Sequence, residues 1–184
     1  MKGRKNAPVP ESTDGGPFRV PWCTAALGLV CTVAFAISWA ASGFVLLEEG
    51  GWLDAQVLVE HGALDWLSLR EKQQWWRLGT APLLHGAWWH FLINAWGLFV
   101  LGTAVEDWPG RRWWTATALV SGLTTGLAVL AWGRETMVVG VSGVLFGFAG
   151  FLIVDECFAR LARSRNASRE GIQGSKSSSS KTSE

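Results

Sequence analysis

Charge is missing from long parts of this 184-residue sequence. No charged residue occurs from Val20 to Leu47, between His90 and Glu106, from Trp113 to Trp132, or from Thr136 to Val154. The apolar residues fill these blocks instead of forming one-sided stripes, which excludes the amphipathic helices of a soluble core. A bilayer core needs about 18–25 apolar residues per helix. The blocks therefore read as four transmembrane helices at about 20–47, 88–105, 113–132 and 137–154, the last only just long enough. The first block is too long for a cleaved leader, and no Ala-x-Ala-like site follows it.

Cysteine and histidine are also scarce, at three each. Cys23, Cys31 and Cys157 are too few and too scattered for a disulfide framework or a metal site, and read as small apolar residues. His85 and His90 stand five apart, a poor spacing for two ligands on one helix, with no carboxylate or cysteine beside them. No metal and no cofactor is expected. The net charge of +1 carries no signal for nucleic acid, and none is expected as a partner. There is no internal repeat.

What charge there is has a pattern. Of the 16 Lys and Arg residues, twelve lie before the first block, between the second and third, or after the fourth. Arg70, Lys72, Arg77 and Arg134 occupy the other two loops. This asymmetry places both termini in the cytoplasm. Residues 1–18 are polar, contain three prolines and are expected to be disordered. Residues 19–158 form the membrane domain, and 159–184 a basic, Ser-rich cytoplasmic tail ending "SKSSSSKTSE" that cannot build a core. The loop from Glu48 to Leu84 mixes Trp, Leu and Val with acids, which suggests short helices in the outer interface. Most tryptophans, among them Trp22, Trp75, Trp76, Trp88, Trp89, Trp108, Trp113, Trp114 and Trp132, sit near span ends as an aromatic belt would. The pairs Gly122/Gly126 and Gly143/Gly147 have the spacing that lets membrane helices approach closely.

Against this background "VVGVSGVLFGFAG" (138–150) stands out. Ser142, between Gly140 and Gly143, has the setting of a nucleophile that a substrate backbone must approach. His90 and Asn94 lie four apart on one helical face. With this topology all three fall in the outer leaflet, with Ser142 roughly 5–10 Å below the surface at 1.5 Å per residue. Polar residues in a span usually face the bundle interior or a water-filled cavity, so an outward-opening polar pocket is expected. A serine nucleophile needs a base, and no histidine follows Ser142.

"WWRLGTAPLLHGAWWHFLINAWGLFVLGTAVEDWPG" followed by "GVSGVLFGFAGF" resembles the rhomboid intramembrane serine proteases. The matching elements are Trp76-Arg77, His85-Gly86, His90-x-x-x-Asn94, Glu106 and Gly140-x-Ser142-Gly143, in order and spacing, across about Trp22 to Val154. The resemblance implies an all-α polytopic bundle with a long outer first loop in a bacterial plasma membrane, cleaving transmembrane protein substrates. It implies Ser142 as nucleophile, His90, Asn94 and the Ser142 N–H as oxyanion donors, and Gly140 and Gly143 as points of close backbone approach. It implies structural roles for Trp76, Arg77, His85 and Glu106. The family's minimal core has six spans, with the base histidine in a Gly-x-x-x-Ala-His pattern of the sixth. This chain stops matching after the fourth span.

Four readings follow. A protease sequence that has lost its C-terminal third is expected to be inactive as an isolated chain. A non-catalytic rhomboid-like protein would bind transmembrane clients. A working protease could take its base from another chain. A small structural membrane protein would show no convergence of polar groups on one leaflet. Intact nucleophile and oxyanion positions favour recent loss of the C-terminal third. The topology has its own test. Cys157 is expected to be shielded from an impermeant thiol reagent added to intact cells and to label after permeabilisation; labelling in intact cells would contradict it.

Overall fold

The computed structural model describes residues 20–44, 48–132 and 137–180. The polar N-terminal segment 1–18, expected to be disordered, and the last residues of the Ser-rich tail, 181–184, lie outside the described residues.

Among the described residues, four long helical rods build the bundle. Helix α1 spans Trp22–Ala41. A second rod of 20 residues, Trp88–Asp107, is made of α5 (Trp88–Gly97), a π turn (Leu98–Gly102) and α6 (Thr103–Asp107). Helix α7 is Arg111–Trp132 and α8 is Ser142–Ser180. Among the described residues, Trp22–Ala41 and Trp88–Asp107 are long and apolar enough to cross a membrane. Their large apolar side chains stay largely outward: Leu29, Ile93 and Phe99 are exposed, as is Phe146 on α8. A water-soluble protein rarely shows apolar patches this extensive, whereas hydrocarbon solvates them.

The long loop carries three short helices, α2 (Ala55–Glu60), α3 (Trp66–Arg70) and α4 (Arg77–Thr80). Its acids start two of them. Asp54 accepts from the N–H groups of Gln56 and Val57, and Asp65 from that of Ser68, the usual work of an N-cap carboxylate. Arg77 is buried at the loop's centre. It donates to the carbonyls of Val59 (2.6 Å) and Ala63 (2.7 Å) and to Gln74 Oε1 (2.7 Å), with its guanidinium 4.7 Å from the Trp76 ring centroid. Carbonyl dipoles and the ring face stand in for a carboxylate partner.

The fourth apolar block folds differently from expectation. Instead of one helix from residue 137, Met137–Val138 is a strand, β2, antiparallel to β1 (Leu64–Asp65) in the long loop. The helix begins only at Ser142. A left-handed Gly140 (φ +107°) makes the turn between them, and its N–H donates to the Ala81 carbonyl (3.0 Å). At the other end α8 does not stop at the tail. Its backbone continues as helix through Ser180.

Helices α7 and α8 pack with almost nothing between them. A Cβ on Gly143 would lie 2.2 Å from Thr125 Oγ1, and one on Gly147 2.4 Å from Ser121 Oγ. These hydroxyls need no partner across the interface, since Ser121 donates to the Thr117 carbonyl (2.6 Å) and Thr125 to that of Ser121 (2.8 Å). Of the other pair, Gly122 faces Val144 of α8, while Gly126 faces Leu78 and Leu64 of the long loop. The core around this seam is Leu98, Val105, Trp114, Val141, Val144 and Phe148 with Cys31 of α1. Trp114 thus belongs to the core, not to an interfacial belt.

The end of the bundle away from Ser142 is fastened by Glu106. Its carboxylate accepts from the N–H groups of Cys23 (3.0 Å) and Thr24 (2.9 Å), the Thr24 hydroxyl (3.0 Å) and Arg111 Nε (3.2 Å). Trp114 Nε1 donates to the same hydroxyl (3.1 Å). One side chain caps the start of α1 and ties it to α6 and α7. Replacing Glu106 by Ala leaves two helix-start N–H groups and a buried hydroxyl without their acceptor, and should cost about 2–4 kcal/mol. Glu106→Gln, which keeps an acceptor oxygen, should cost less. Unfolding in detergent measures both; equal stability of Glu106→Ala and the parent would refute the clip.

Candidate functional site

Three elements meet where β2 turns into α8. Helix α5 brings His90 and Asn94; the turn brings Gly140; α8 brings Ser142. Asn94 is buried, and its amide donates to the His90 carbonyl one turn back (2.8 Å). That bond uses one of its two amide hydrogens and fixes the direction of the other. Gly140 lies against this pair. A Cβ there would come within 2.8 Å of His90 Cε1, 3.0 Å of His90 Nε2 and 3.9 Å of Asn94 Nδ2. Glycine is therefore required twice, by a positive φ and by the imidazole.

Ser142 follows two residues on, half-buried, as the first residue of α8. A helix running from residue 137 would set it inside a span; the structure puts it at a helix start. The first helical bond there runs from the Leu145 N–H to the Val141 carbonyl (3.1 Å). The N–H groups of Ser142, Gly143 and Val144 have no backbone acceptor among the described residues. Unpaired donors at a helix start carry a partial positive charge, which suits a developing anion. The close approach at Gly143 is to Thr125 of α7, on the packing side of α8.

The histidines divide clearly. His61 is exposed in the long loop, its Nδ1 2.7 Å from the Val57 carbonyl at the end of α2. His85 is 1% exposed and packed edge-on between His90 (ring centroids 5.3 Å) and Phe91 (5.4 Å). Neither of its ring nitrogens makes a bond of good geometry among the described residues. Burial, with His90 as a secondary influence, pushes its pKa down to about 4, although the nearby Leu83 carbonyl favours the charged form slightly. No hydrogen bond joins the Ser142 hydroxyl to a histidine among the described residues. Nor does any cluster of three or more His, Cys, Asp or Glu there have the arrangement to hold a metal ion.

The remaining sequence candidates lie apart from this point. Trp76 is exposed beneath the Arg77 guanidinium, and Glu106 closes the other end of the bundle. Gly86 joins the loop to α5, its carbonyl accepting from the Leu53 N–H (2.8 Å). Sequence reasoning missed Ala81, whose carbonyl anchors the Gly140 N–H, and β1, which holds β2. Neither has a chemical signature, since both act through the backbone.

A family model described as the Rhomboid domain matches residues 72–169, which include His85, His90, Asn94, Gly140 and Ser142. This chain belongs to the rhomboid family. Rhomboid protease GluP of Bacillus subtilis is 35% identical over 111 residues, covering 60% of this chain and 22% of that protein. RHOMBOID-like protein 1 of Arabidopsis thaliana is 28% identical over 158 residues, covering 74% and 41% respectively. Inactive RHOMBOID-like protein 8 of the same plant is 28% identical over 112 residues, covering 60% and 32%. The chain spans from about a fifth to about two fifths of the length of these relatives. Rhomboid proteins are integral to membranes, in keeping with the two long apolar helices of this member.

Because His85 is buried neutral, acid should loosen the fold of this rhomboid domain. Above about pH 6.5 neither folded nor unfolded chain carries the proton, and stability is full. As pH falls from there to about 4 only the unfolded chain binds it, so stability declines, by about 3 kcal/mol in total at 1.36 kcal/mol per pH unit. Unfolding midpoints in detergent between pH 7.5 and 4 should show this fall, and His85→Gln should flatten it. Identical slopes for both proteins would exclude His85 as the source.

Proposed function

We propose that this rhomboid domain carries the nucleophile and oxyanion half of a serine peptidase site acting on transmembrane substrates, and that the chain alone is inactive for want of a base. The observation that carries this reading is the contact of Gly140 with His90 and Asn94 at the start of α8. It supports an arrangement in which Ser142 Oγ attacks a scissile carbonyl lying over the turn. The oxygen of the tetrahedral adduct then accepts hydrogen bonds from the free Asn94 N–H, the His90 ring and the N–H groups opening α8. Such fixed donors are worth most in a water-poor site, where they cost no reorganisation as charge develops. The reading includes four spans, α1, α5 with α6, α7 and α8, with both ends of the chain in the cytoplasm and Ser142 in the outer half.

Attack also requires a group to take the Ser142 proton, and none of the three histidines is placed for it. His61 is remote in the loop, His85 is enclosed and neutral, and His90 is committed to the oxyanion side. A second reading is a domain that holds transmembrane clients without cutting them. The existence of a relative whose name calls it inactive supports it.

Purified chain in liposomes with a transmembrane substrate, beside a Ser142→Ala control, tests the proposal. Loss of the histidine base in a soluble serine protease costs on the order of 10⁶ in turnover, so no cleavage above the control is expected. Ser142-dependent cleavage would overturn the claim that the base is lacking. Photocrosslinking of the uncut substrate to the parent, and its loss in Gly140→Val, would show that the pocket binds.

A further inference from the structure

The end of the bundle opposite Ser142 carries a cup that neither the fold nor the proposed chemistry uses. Pro109, Trp113, Phe151, Val154, Asp155 and Phe158 line a cavity of about 280 Å³. Trp113, Val154 and Phe158 are all more than half exposed, although Trp113 stacks at a tilt on Phe151 (5.7 Å). Pro109 and Trp113 also wall the neighbouring cavity, which holds Arg112 and Asp107. Pro109 and Trp113 thus belong to both cavities, one with Asp155 on its lining and the other with Arg112 and Asp107.

The charges around this wall sort into used and available. Arg111 is engaged by Glu106, and Arg160 and Arg163 by Glu156 of their own helix. Arg112 and Asp107 are exposed, and neither makes an ion pair among the described residues. Among the described residues, Asp155 accepts only a long bond from Trp108 Nε1 (3.4 Å), which leaves most of its acceptor capacity open.

We propose that the cup binds a phospholipid whose headgroup carries both a phosphate and a primary ammonium. The upper acyl chain packs on Trp113, Phe151, Val154 and Phe158. The phosphate meets Arg112, and the ammonium donates to Asp155. The mixed rim selects this headgroup. A purely anionic lipid would set its charge beside two uncompensated carboxylates. A choline headgroup has the positive charge but no N–H to give them. The inference rests on the membrane setting of the family and not on the chemistry of Ser142.

The test is native mass spectrometry of delipidated protein in detergent, offered an equimolar mixture of phosphatidylethanolamine, phosphatidylcholine and phosphatidylglycerol with the same acyl chains. Phosphatidylethanolamine should be retained about fivefold over each of the others, the effect of one well-placed charged contact. Asp155→Asn should bring it down to the phosphatidylcholine level. Arg112→Gln and Trp113→Ala should lower retention of all three. Equal retention by the parent protein, a preference for phosphatidylglycerol, or a preference that survives Asp155→Asn would overturn the proposal. Because the readout is lipid retention, it stands or falls independently of proteolysis.

Discussion

Helix α8 can lie against α7 only because Gly143 and Gly147 leave no side chain between them. Membrane helices gain little from expelling one another's apolar surface, since lipid is as apolar as leucine; they gain from close contact. Thr125 and Ser121 fill the space, and their hydroxyls bond to their own helix. The approach therefore costs no unpaired polar group. Two residues before Ser142, Gly140 performs the same service toward α5. One helix start is thereby held between two neighbours, and the position of Ser142 follows from both contacts.

The second constraint is that hydrocarbon offers no hydrogen bonds, so polar groups must be satisfied from within. Glu106 and Arg77 solve this at opposite ends. The carboxylate collects two backbone N–H groups and a hydroxyl at the start of α1, and the guanidinium collects two carbonyls in the long loop. Both act as fasteners between segments that would otherwise share only apolar contact. His85 is one exception among the described residues, as are the buried hydroxyls of Ser38 and Thr103 and one carboxylate oxygen of Asp65. His85 is enclosed between His90 and Phe91 with neither ring nitrogen bonded, and so serves as a flat, neutral wall behind His90.

Much of the chain could be read locally. Helices α1, α5 with α6, and α7 lie largely on charge-free blocks, and the shared face of His90 and Asn94 follows from their spacing of four. The Gly143/Gly147 pair lies at a helix contact, as its spacing suggests. Local pattern fails where apolar content hides a change of conformation. Met137–Val138 is apolar enough for a span yet forms a strand, because Leu64–Asp65 offers it a backbone partner more than 70 residues away in sequence. Trp114 has the composition of a belt residue but lies in the core, bonded to Thr24.

The sequence by itself therefore determined which segments are helical rods and which side chains share a face, because hydrophobic length and helical period are properties of neighbouring residues. Only the tertiary structure decided where α8 begins, which backbone groups remain free beside Ser142, and what fastens α1. Those depend on partners such as Ala81 for Gly140 and Glu106 for Thr24, which chain closure brings together and no local pattern encodes.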